Sequence, residues 1–211
     1  MSHVILLGDS IFDNAAYVGG GPEVIEQVQQ RLPVGWQATL RAVDGSVTAS
    51  VRRQLDRLPE DAGWLVVSVG GNDALGYADI LGEKAHSAAE VLQRLAEIGD
   101  RFEHDYHLML QEVLSRRLPT AICTVYYPRF PDPLTQRLAV TALTIFNDRI
   151  LREAFAAGLP VLDLRLLCHE DADYANPIEP SVRGGEKIAE VIVKVVTEHD
   201  FRRRRTEVFI Q

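Results

Sequence analysis

The sequence has little cysteine and no long apolar run, and each of these shortages excludes a class of protein. Its two cysteines, Cys123 and Cys168, lie far apart and form no metal-ligand spacing. We therefore expect both thiols to be reduced and buried, in a cytoplasmic protein. No stretch approaches the ~20 consecutive apolar residues that a membrane-spanning helix needs. The first residues also lack the charged and apolar pattern of a signal peptide.

Positive charge is scarce as well, since 22 Lys and Arg residues stand against 30 Asp and Glu residues and the net charge is −8. This balance argues against a nucleic-acid partner. The basic run at residues 202–205 is expected to be a solvated C-terminal segment. Hydrophobic residues make up 46% of the 211 positions, which is enough for a substantial core, and we expect a single domain over residues 1–211.

Apolar runs and helical periodicity alternate along the chain. Runs rich in β-branched residues predict five strands, near residues 3–8, 37–43, 64–70, 120–127 and 160–165. Apolar residues at helical spacing predict helices near residues 22–32, 46–58, 87–117, 134–157 and 185–198. This alternation is typical of a three-layer α/β fold, in which a mostly parallel sheet is covered by helices on both faces.

The longest predicted helix, residues 87–117, has an apolar stripe that is longer than the sheet needs. We expect Leu95, Ile98, Phe102 and Met109 to pack on the sheet. The excess of apolar surface predicts a further contact, with a loop or with a second copy of the chain in a homo-oligomer.

Polar clusters follow the first three predicted strands. Ser10 follows the first strand, Asp44-Gly45-Ser46 the second, and Gly70-Gly71-Asn72-Asp73 the third. Ligands of open parallel sheets bind outside the carboxyl ends of the strands, so these clusters should converge on one crevice. A hydroxyl nucleophile beside a glycine amide and an asparagine amide suits acyl transfer, because the amides can receive the developing oxyanion.

These residues resemble the motif blocks of the SGNH hydrolases, also called the GDSL family of esterases and lipases. Gly8-Asp9-Ser10 resembles the first block, Gly45 the second and Gly71-Asn72-Asp73 the third. The fourth block of the family is usually Asp-x-x-His, followed by Pro and a glycine-bearing helix start. Here Asn176 stands at the acid position and Glu179 at the base position. The resemblance implies a flavodoxin-like, five-stranded sheet of order 2-1-3-4-5 and a serine ester hydrolase acting on small esters.

The fourth block makes Glu179 the first candidate for the catalytic base. A carboxylate is a weaker base than an imidazole, with a reference pKa of about 4.3 against about 6.5, but burial can raise it. A neutral Asn176 could hydrogen-bond a carboxylate without repelling it. His169 lies after the last predicted strand and is an alternative base. Asp9 is expected to hold a turn, and Asp13 either contacts substrate or caps the first helix.

Two other functions stay open on the sequence. The chain is either a weak or inactive relative that binds an acylated or glycan ligand, or a lyase or isomerase that uses Glu179 directly. No metal and no cofactor are expected, because the sequence has no His-Glu-x-x-His motif or comparable ligand cluster. Gly19-Gly20-Gly21 lacks the Lys-Ser/Thr of a phosphate-binding loop and is interpreted as a mobile rim of the crevice.

Overall fold

A computed structural model describes residues 2–210. Its strands are β1 (His3–Gly8), β2 (Gln37–Leu40), β3 (Trp64–Ser68), β4 (Thr120–Cys123), β5 (Val161–Leu162), β6 (Tyr174–Asn176), β7 (Glu179–Pro180) and β8 (Val208–Phe209). Its α-helices are α1 (Val24–Arg31), α2 (Val51–Leu55), α3 (Gly71–Leu75), α4 (Ala88–Ser115), α5 (Pro133–Ala157), α6 (Leu164–Leu167) and α7 (Val182–Glu198). Short 3-10 segments span Thr48–Ser50, Ala78–Gly82 and Asp171–Asp173.

The main sheet has six strands in the order β2-β1-β3-β4-β5-β8, and every pair in it is parallel. The predicted α/β class and the predicted order of the first five strands are confirmed. The predicted count of five was one too few. The sixth strand, β8, contains two residues after the basic run, which is too short for a periodic signal.

The central strands have a buried apolar face on each side. Val4 and Leu6 of β1 belong to the cluster that α1 and α7 cover, while Ile5 and Leu7 belong to the cluster that α2, α4 and α5 cover. All four of these side chains are fully buried. Burial on both faces explains why the strand is continuously apolar rather than alternating.

The long helix differs from its prediction in one respect. Phe102 and Met109 are buried in the core, as expected. Leu95 and Ile98 are only half-buried, and they line a cavity near the start of the helix. The apolar stripe is long because α4 covers the sheet with one half and this cavity with the other.

The two cysteines and the basic run at residues 202–205 lie in the environments that the sequence predicted. Cys123 and Cys168 are both buried and free. The four arginines of residues 202–205 are exposed, as predicted. Within residues 2–210, no helix combines the length and the apolar character needed to cross a membrane.

Candidate active site

Ser10 follows a tight junction between two neighbouring strands. Gly8 ends β1 with φ of +131°, and a Cβ there would lie 1.7 Å from the carbonyl oxygen of Ser68, so only glycine fits. The Asp9 N–H donates to the same oxygen at 3.1 Å. The side-chain amide of Gln54, on α2, both donates to and accepts from the Gly8 backbone at 2.8 Å. The backbone that carries Ser10 is therefore held on two sides.

The loops after β2 and β3 are joined by side chains of the third motif. Asn72 Nδ2 donates to the carbonyl oxygen of Ser46 at 3.0 Å. The Asp73 carboxylate accepts from the Thr48 N–H at 2.9 Å and 3.2 Å. Gly45, next to Ser46, has φ of +75°. It thus lies beside the residue that Asn72 contacts, although it does not itself line the cavity described below.

Glu179 lies on a small antiparallel hairpin formed by β6 and β7, just before α7. Asn176 pairs with it across the hairpin, and its Oδ1 accepts from the N–H groups of Ile178 at 2.9 Å and of Glu179 at 3.0 Å. The Asn176 amide therefore shapes the turn through the backbone. The sequence suggested that Asn176 could hydrogen-bond the Glu179 carboxylate. In the structure its side-chain oxygen instead accepts from backbone N–H groups.

Glu179 is buried, with 5% of the residue exposed to solvent. Burial raises the pKa of Glu179 to about 7, hydrogen bonding with the Ser10 hydroxyl lowers it in part, and the charge of Asp44 raises it further. Among the described residues, its Oε2 atom is buried without a hydrogen-bond partner. Ser10 thus has beside it a carboxyl group with a pKa close to that of an imidazole.

Asp9 contributes a second buried carboxyl group to the same place. Burial raises the pKa of Asp9 to about 8, the backbone N–H of Ile11 lowers it in part, and the charge of Glu179 raises it further. Both buried carboxyl groups therefore keep their protons to a higher pH than an exposed carboxyl group does. The turn role predicted for Asp9 agrees with the 3.2 Å contact from the Ile11 N–H to its Oδ1.

Two other predicted residues lie away from the cavity. Asp13 accepts from the Asp44 N–H at 2.8 Å, and Tyr17 donates to the Asp44 carboxylate at 2.7 Å. The Asp13 carboxylate therefore fixes the loop after β2. His169 is exposed and its Nδ1 donates to the Leu166 carbonyl oxygen at 2.9 Å. It does not line the cavity, so the structure gives His169 no contact with Ser10.

The hairpin that carries Glu179 is anchored by a buried ion pair that sequence reasoning missed. Lys187 Nζ, on α7, donates to the fully buried Asp173 carboxylate at 2.8 Å. A Cβ on Gly184 would lie 2.1 Å from the Asp173 carbonyl oxygen, so α7 approaches this backbone closely. The sequence signal was weak, because a lysine and an aspartate 14 residues apart are not helix neighbours.

The buried side-chain amides of Gln54 and Asn147 bind backbone groups at the ends of strands. Both could have been noticed in the sequence as polar residues on apolar helix faces. Gln54 lies among the apolar residues of α2, and Asn147 lies between Phe146 and Ile150 on the buried face of α5. Asn147 accepts from the Val125 N–H and donates to its carbonyl oxygen, both at 2.8 Å. A polar residue on an apolar helix face needs such partners, and here they are backbone groups at the sheet edge.

A cavity of about 200 Å³ opens beside these groups. It is bounded by α3, the Ala78–Gly82 segment, α4, α5, residues 125–130 and the hairpin. Its polar side chains are Asp9, Ser10, Ser68, Asn72, Thr135 and Glu179, and its other side chains are apolar or aromatic. The structure therefore brings Ser10, Asn72 and Glu179 to one cavity. In the described part of the chain, no three His, Cys, Asp or Glu residues are grouped so that they could hold a metal ion.

Comparison with known proteins gives one family match. The model of the GDSL-like Lipase/Acylhydrolase family matches residues 6–186. A search of curated proteins finds no match.

Solved structures share the fold at low sequence identity. A lipase/acylhydrolase from Enterococcus faecalis is 19% identical with a TM-score of 0.65, covering 93% of this chain and 95% of its own. An extracellular lipase from Streptomyces rimosus is 16% identical with a TM-score of 0.63, covering 93% and 98%. An acetyl xylan esterase is 18% identical with a TM-score of 0.68, covering 92% and 99%. At these identities the likeness concerns the fold alone.

Proposed function

The chain belongs to the GDSL-like lipase/acylhydrolase family, and from this premise we propose that it is a serine ester hydrolase with Ser10 as nucleophile and Glu179 as base. The family makes hydrolysis of acyl esters the reaction class. The observation that carries the assignment of roles is that Ser10 and the buried Glu179 line the same cavity, where the Ser10 hydroxyl lowers the pKa of Glu179 in part. A nucleophile with its base within hydrogen-bonding reach is the arrangement that acyl transfer requires.

The first half of the reaction forms an acyl-enzyme. Ionised Glu179 takes the proton of the Ser10 hydroxyl while the serine oxygen attacks the ester carbonyl carbon. The carbonyl oxygen becomes an oxyanion. When this tetrahedral intermediate collapses, the bond to the alcohol oxygen breaks, and protonated Glu179 gives its proton to the departing alcohol.

The second half returns the enzyme to its starting state. Glu179 takes a proton from water, and the resulting hydroxide attacks the acyl carbon bound to Ser10. Collapse of this intermediate breaks the bond to the serine oxygen, which recovers its proton from Glu179, and the carboxylic acid leaves.

The oxyanion needs donors that are already in place before the reaction. Asn72 Nδ2 has two N–H bonds, and the Ser46 carbonyl oxygen accepts one of them. We assign the other N–H to the oxyanion. The motif implies the backbone amide of Gly45 as a second donor, but Gly45 lies outside the cavity lining, so Asn72 is the donor on which this proposal rests. The bond to Ser46 fixes the orientation of the Asn72 amide, so little reorganisation is needed when charge develops.

Two features outside the site belong to the same proposal. The free, buried cysteines and the acidic balance are compatible with a cytoplasmic enzyme that acts on a small-molecule ester and has no nucleic-acid partner. Exposed apolar residues on the first turns of α4, Leu92 among them, are compatible with a homo-oligomer. Light scattering would detect the oligomer, and a strictly monomeric mass would contradict it.

The roles are tested by labelling with a fluorophosphonate and by hydrolysis of an activated aryl ester. The wild type and a Ser115→Ala control, changed at an exposed serine, should label and hydrolyse equally. Ser10→Ala should not label, and its hydrolysis should fall to the residual acceleration of roughly 10³–10⁴ over water that binding and oxyanion donors provide.

The outcomes separate the three functions. A wild type that neither labels nor hydrolyses any ester would favour a ligand-binding relative. A Ser10→Ala variant with the wild-type rate would mean that the reaction does not pass through Ser10, as in a lyase or isomerase that uses Glu179 alone.

A further inference from the structure

We propose that the cavity beside Ser10 holds a straight acyl chain of medium length, and that Ala142 on α5 sets the upper limit of that length. This inference rests on the proposed function, because it takes the acyl carbon to be bound at Ser10. It is more specific than the small esters that the sequence resemblance implies.

The chemistry of the cavity wall favours a hydrocarbon. Five of its six polar side chains lie at the sheet edge or on the hairpin, where the reaction takes place. The sixth, Thr135, already donates to Asp132 at 2.8 Å, and the Tyr126 hydroxyl already donates to the Ile178 carbonyl oxygen at 2.7 Å. A glycan placed along this wall would find few partners, chiefly the Tyr77 hydroxyl, for the hydrogen bonds that it makes with water, whereas an alkyl chain gains from burial.

The volume of the cavity bounds the length of the chain. An apolar cavity of about 150 Å³ holds benzene, which has six carbons. On that scale a cavity of about 200 Å³ holds roughly six to eight carbons. An acetyl group would leave most of this volume without contacts.

The entrance is apolar too, and the free protein leaves it partly uncovered. Leu75 is 44% exposed and Leu81 is 43% exposed, yet both line the cavity. Leu75 ends α3, the helix that contains Asn72, and Leu81 belongs to the Ala78–Gly82 segment that follows this helix. An acyl chain that fills the cavity would cover these two leucines.

The helix α5 supplies the wall that limits the chain. Ala139, Ala142, Leu143 and Phe146 recur at helical spacing, so they form one face of α5 toward the cavity. The two helices touch at one side of the cavity, since a Cβ on Gly99 of α4 would lie 2.9 Å from Cγ2 of Ile145, which also lines the cavity. The small side chains of Ala139 and Ala142 leave space between α4 and α5. Ala142 stands midway along this face, so a larger side chain there would shorten the cavity.

The test compares p-nitrophenyl esters from two to twelve carbons. For the wild type, kcat/KM should rise about threefold to fivefold per added methylene up to roughly six to eight carbons, and then fall. Ala142→Leu should move the optimum to shorter chains by two carbons or more, and Leu143→Ala should move it to longer ones. Ala156→Leu, on an exposed face of the same helix, is the control and should keep the wild-type profile.

Binding without catalysis separates this inference from the function on which it rests. Methyl ketones of four to ten carbons, titrated into Ser10→Ala, should bind more tightly with each methylene up to the same length. A flat ester series with Ser10-dependent hydrolysis overturns the acyl-chain assignment and leaves the hydrolase intact. Length-dependent ketone binding without any ester hydrolysis supports the cavity and overturns the hydrolase. If Ala142→Leu does not fold, the test rests on Leu143→Ala. A variant with the same optimal chain length as the wild type would then show that the α5 wall does not limit the acyl chain.

Discussion

At the scale of single residues, a carboxylate base needs more from its surroundings than an imidazole does. An imidazole titrates near neutral pH without help, with a reference pKa of about 6.5. Glu179 reaches a pKa of about 7 through burial. It also has no second ring nitrogen that an acidic partner would orient, and Asn176 accordingly contacts backbone N–H groups rather than the base.

The first prediction is a pH profile with its midpoint near neutrality. Because only the ionised carboxylate accepts a proton, kcat/KM should rise with pH through about 7, the pKa of Glu179. Glu179→Gln should lose about 10²–10⁴ in kcat. Exposed Glu60 gives the matched control, Glu60→Gln, which should keep both rate and profile. A midpoint at the reference pKa of about 4.3 would contradict the assignment.

The second prediction is that the same substitution stabilises the protein at alkaline pH. The folded-state pKa of Glu179, about 7, lies above the ordinary value of 4.5, so between these values the unfolded chain releases a proton that the folded chain retains. Stability due to this group is therefore full below pH 4.5 and is lost as pH rises to about 7.

Glu179→Gln has no carboxyl group to ionise at this position. Its free energy of unfolding at pH 8 should therefore exceed that of the wild type by about 1–3 kcal/mol. Urea unfolding of the wild type and the variant at pH 5 and pH 8 measures it. A difference between the two proteins that does not depend on pH would show that the carboxyl group is not buried in solution.

At the scale of elements, the hairpin of β6 and β7 depends on its neighbours, because two strands of this length are not stable alone. Burial opposes ionisation of Asp173, but Lys187 and the N–H groups of Glu170 and His169 outweigh it and hold the pKa of Asp173 below its ordinary value. The stability that this carboxylate contributes is present above its ordinary pKa and is lost as pH falls.

The third prediction concerns this anchor. Lys187→Met leaves Asp173 without its nearest cation and should destabilise the protein by about 1–3 kcal/mol. The hairpin should then hold Glu179 less well, so kcat should fall while KM changes little, because the α4 and α5 walls of the cavity are untouched. Exposed Lys84 provides the control Lys84→Met. A raised KM with unchanged kcat would show that the anchor does not act through Glu179.

At the scale of the whole molecule, the C-terminal segment completes the sheet at the edge opposite β2. Phe209 packs against the core, and Glu207 lies 2.7 Å from the buried His199 ring. This edge is separated from β1 by three strands, so the segment should affect stability far more than chemistry.

The fourth prediction is that a protein without the C-terminal segment folds with a lower free energy of unfolding and keeps a reactive Ser10. Removal of residues 200–211 loses β8 and the burial of Phe209, which should cost about 2–4 kcal/mol and lower Tm by roughly 5–12 °C. Fluorophosphonate labelling of Ser10 at 20 °C below the new Tm should remain. A control that lacks only residues 210–211 should melt like the wild type. Loss of labelling in the folded truncation would link this edge to the site.

The sequence by itself determined the class of fold and the resemblance that the family match confirms. Both follow from local patterns, since apolar runs, helical spacing and short motifs need only a few adjacent residues to be visible. The order of the first five strands was implied by the resemblance and not by the local patterns. Site roles for Ser10, Gly45, Asn72 and Glu179 were predicted in the same way and stay predictions.

Only the tertiary structure decided the properties that depend on distant residues. The pKa of Glu179 rises through burial by groups from other elements, and Asp173 meets Lys187 only when the hairpin packs on α7. The cavity is built by residues between Asp9 and Glu179 in the sequence, and Leu95 and Ile98 of α4 are among them, with Ile98 also packed against the core. Burial and packing are sums over neighbours in space, and a linear pattern contains no record of those neighbours.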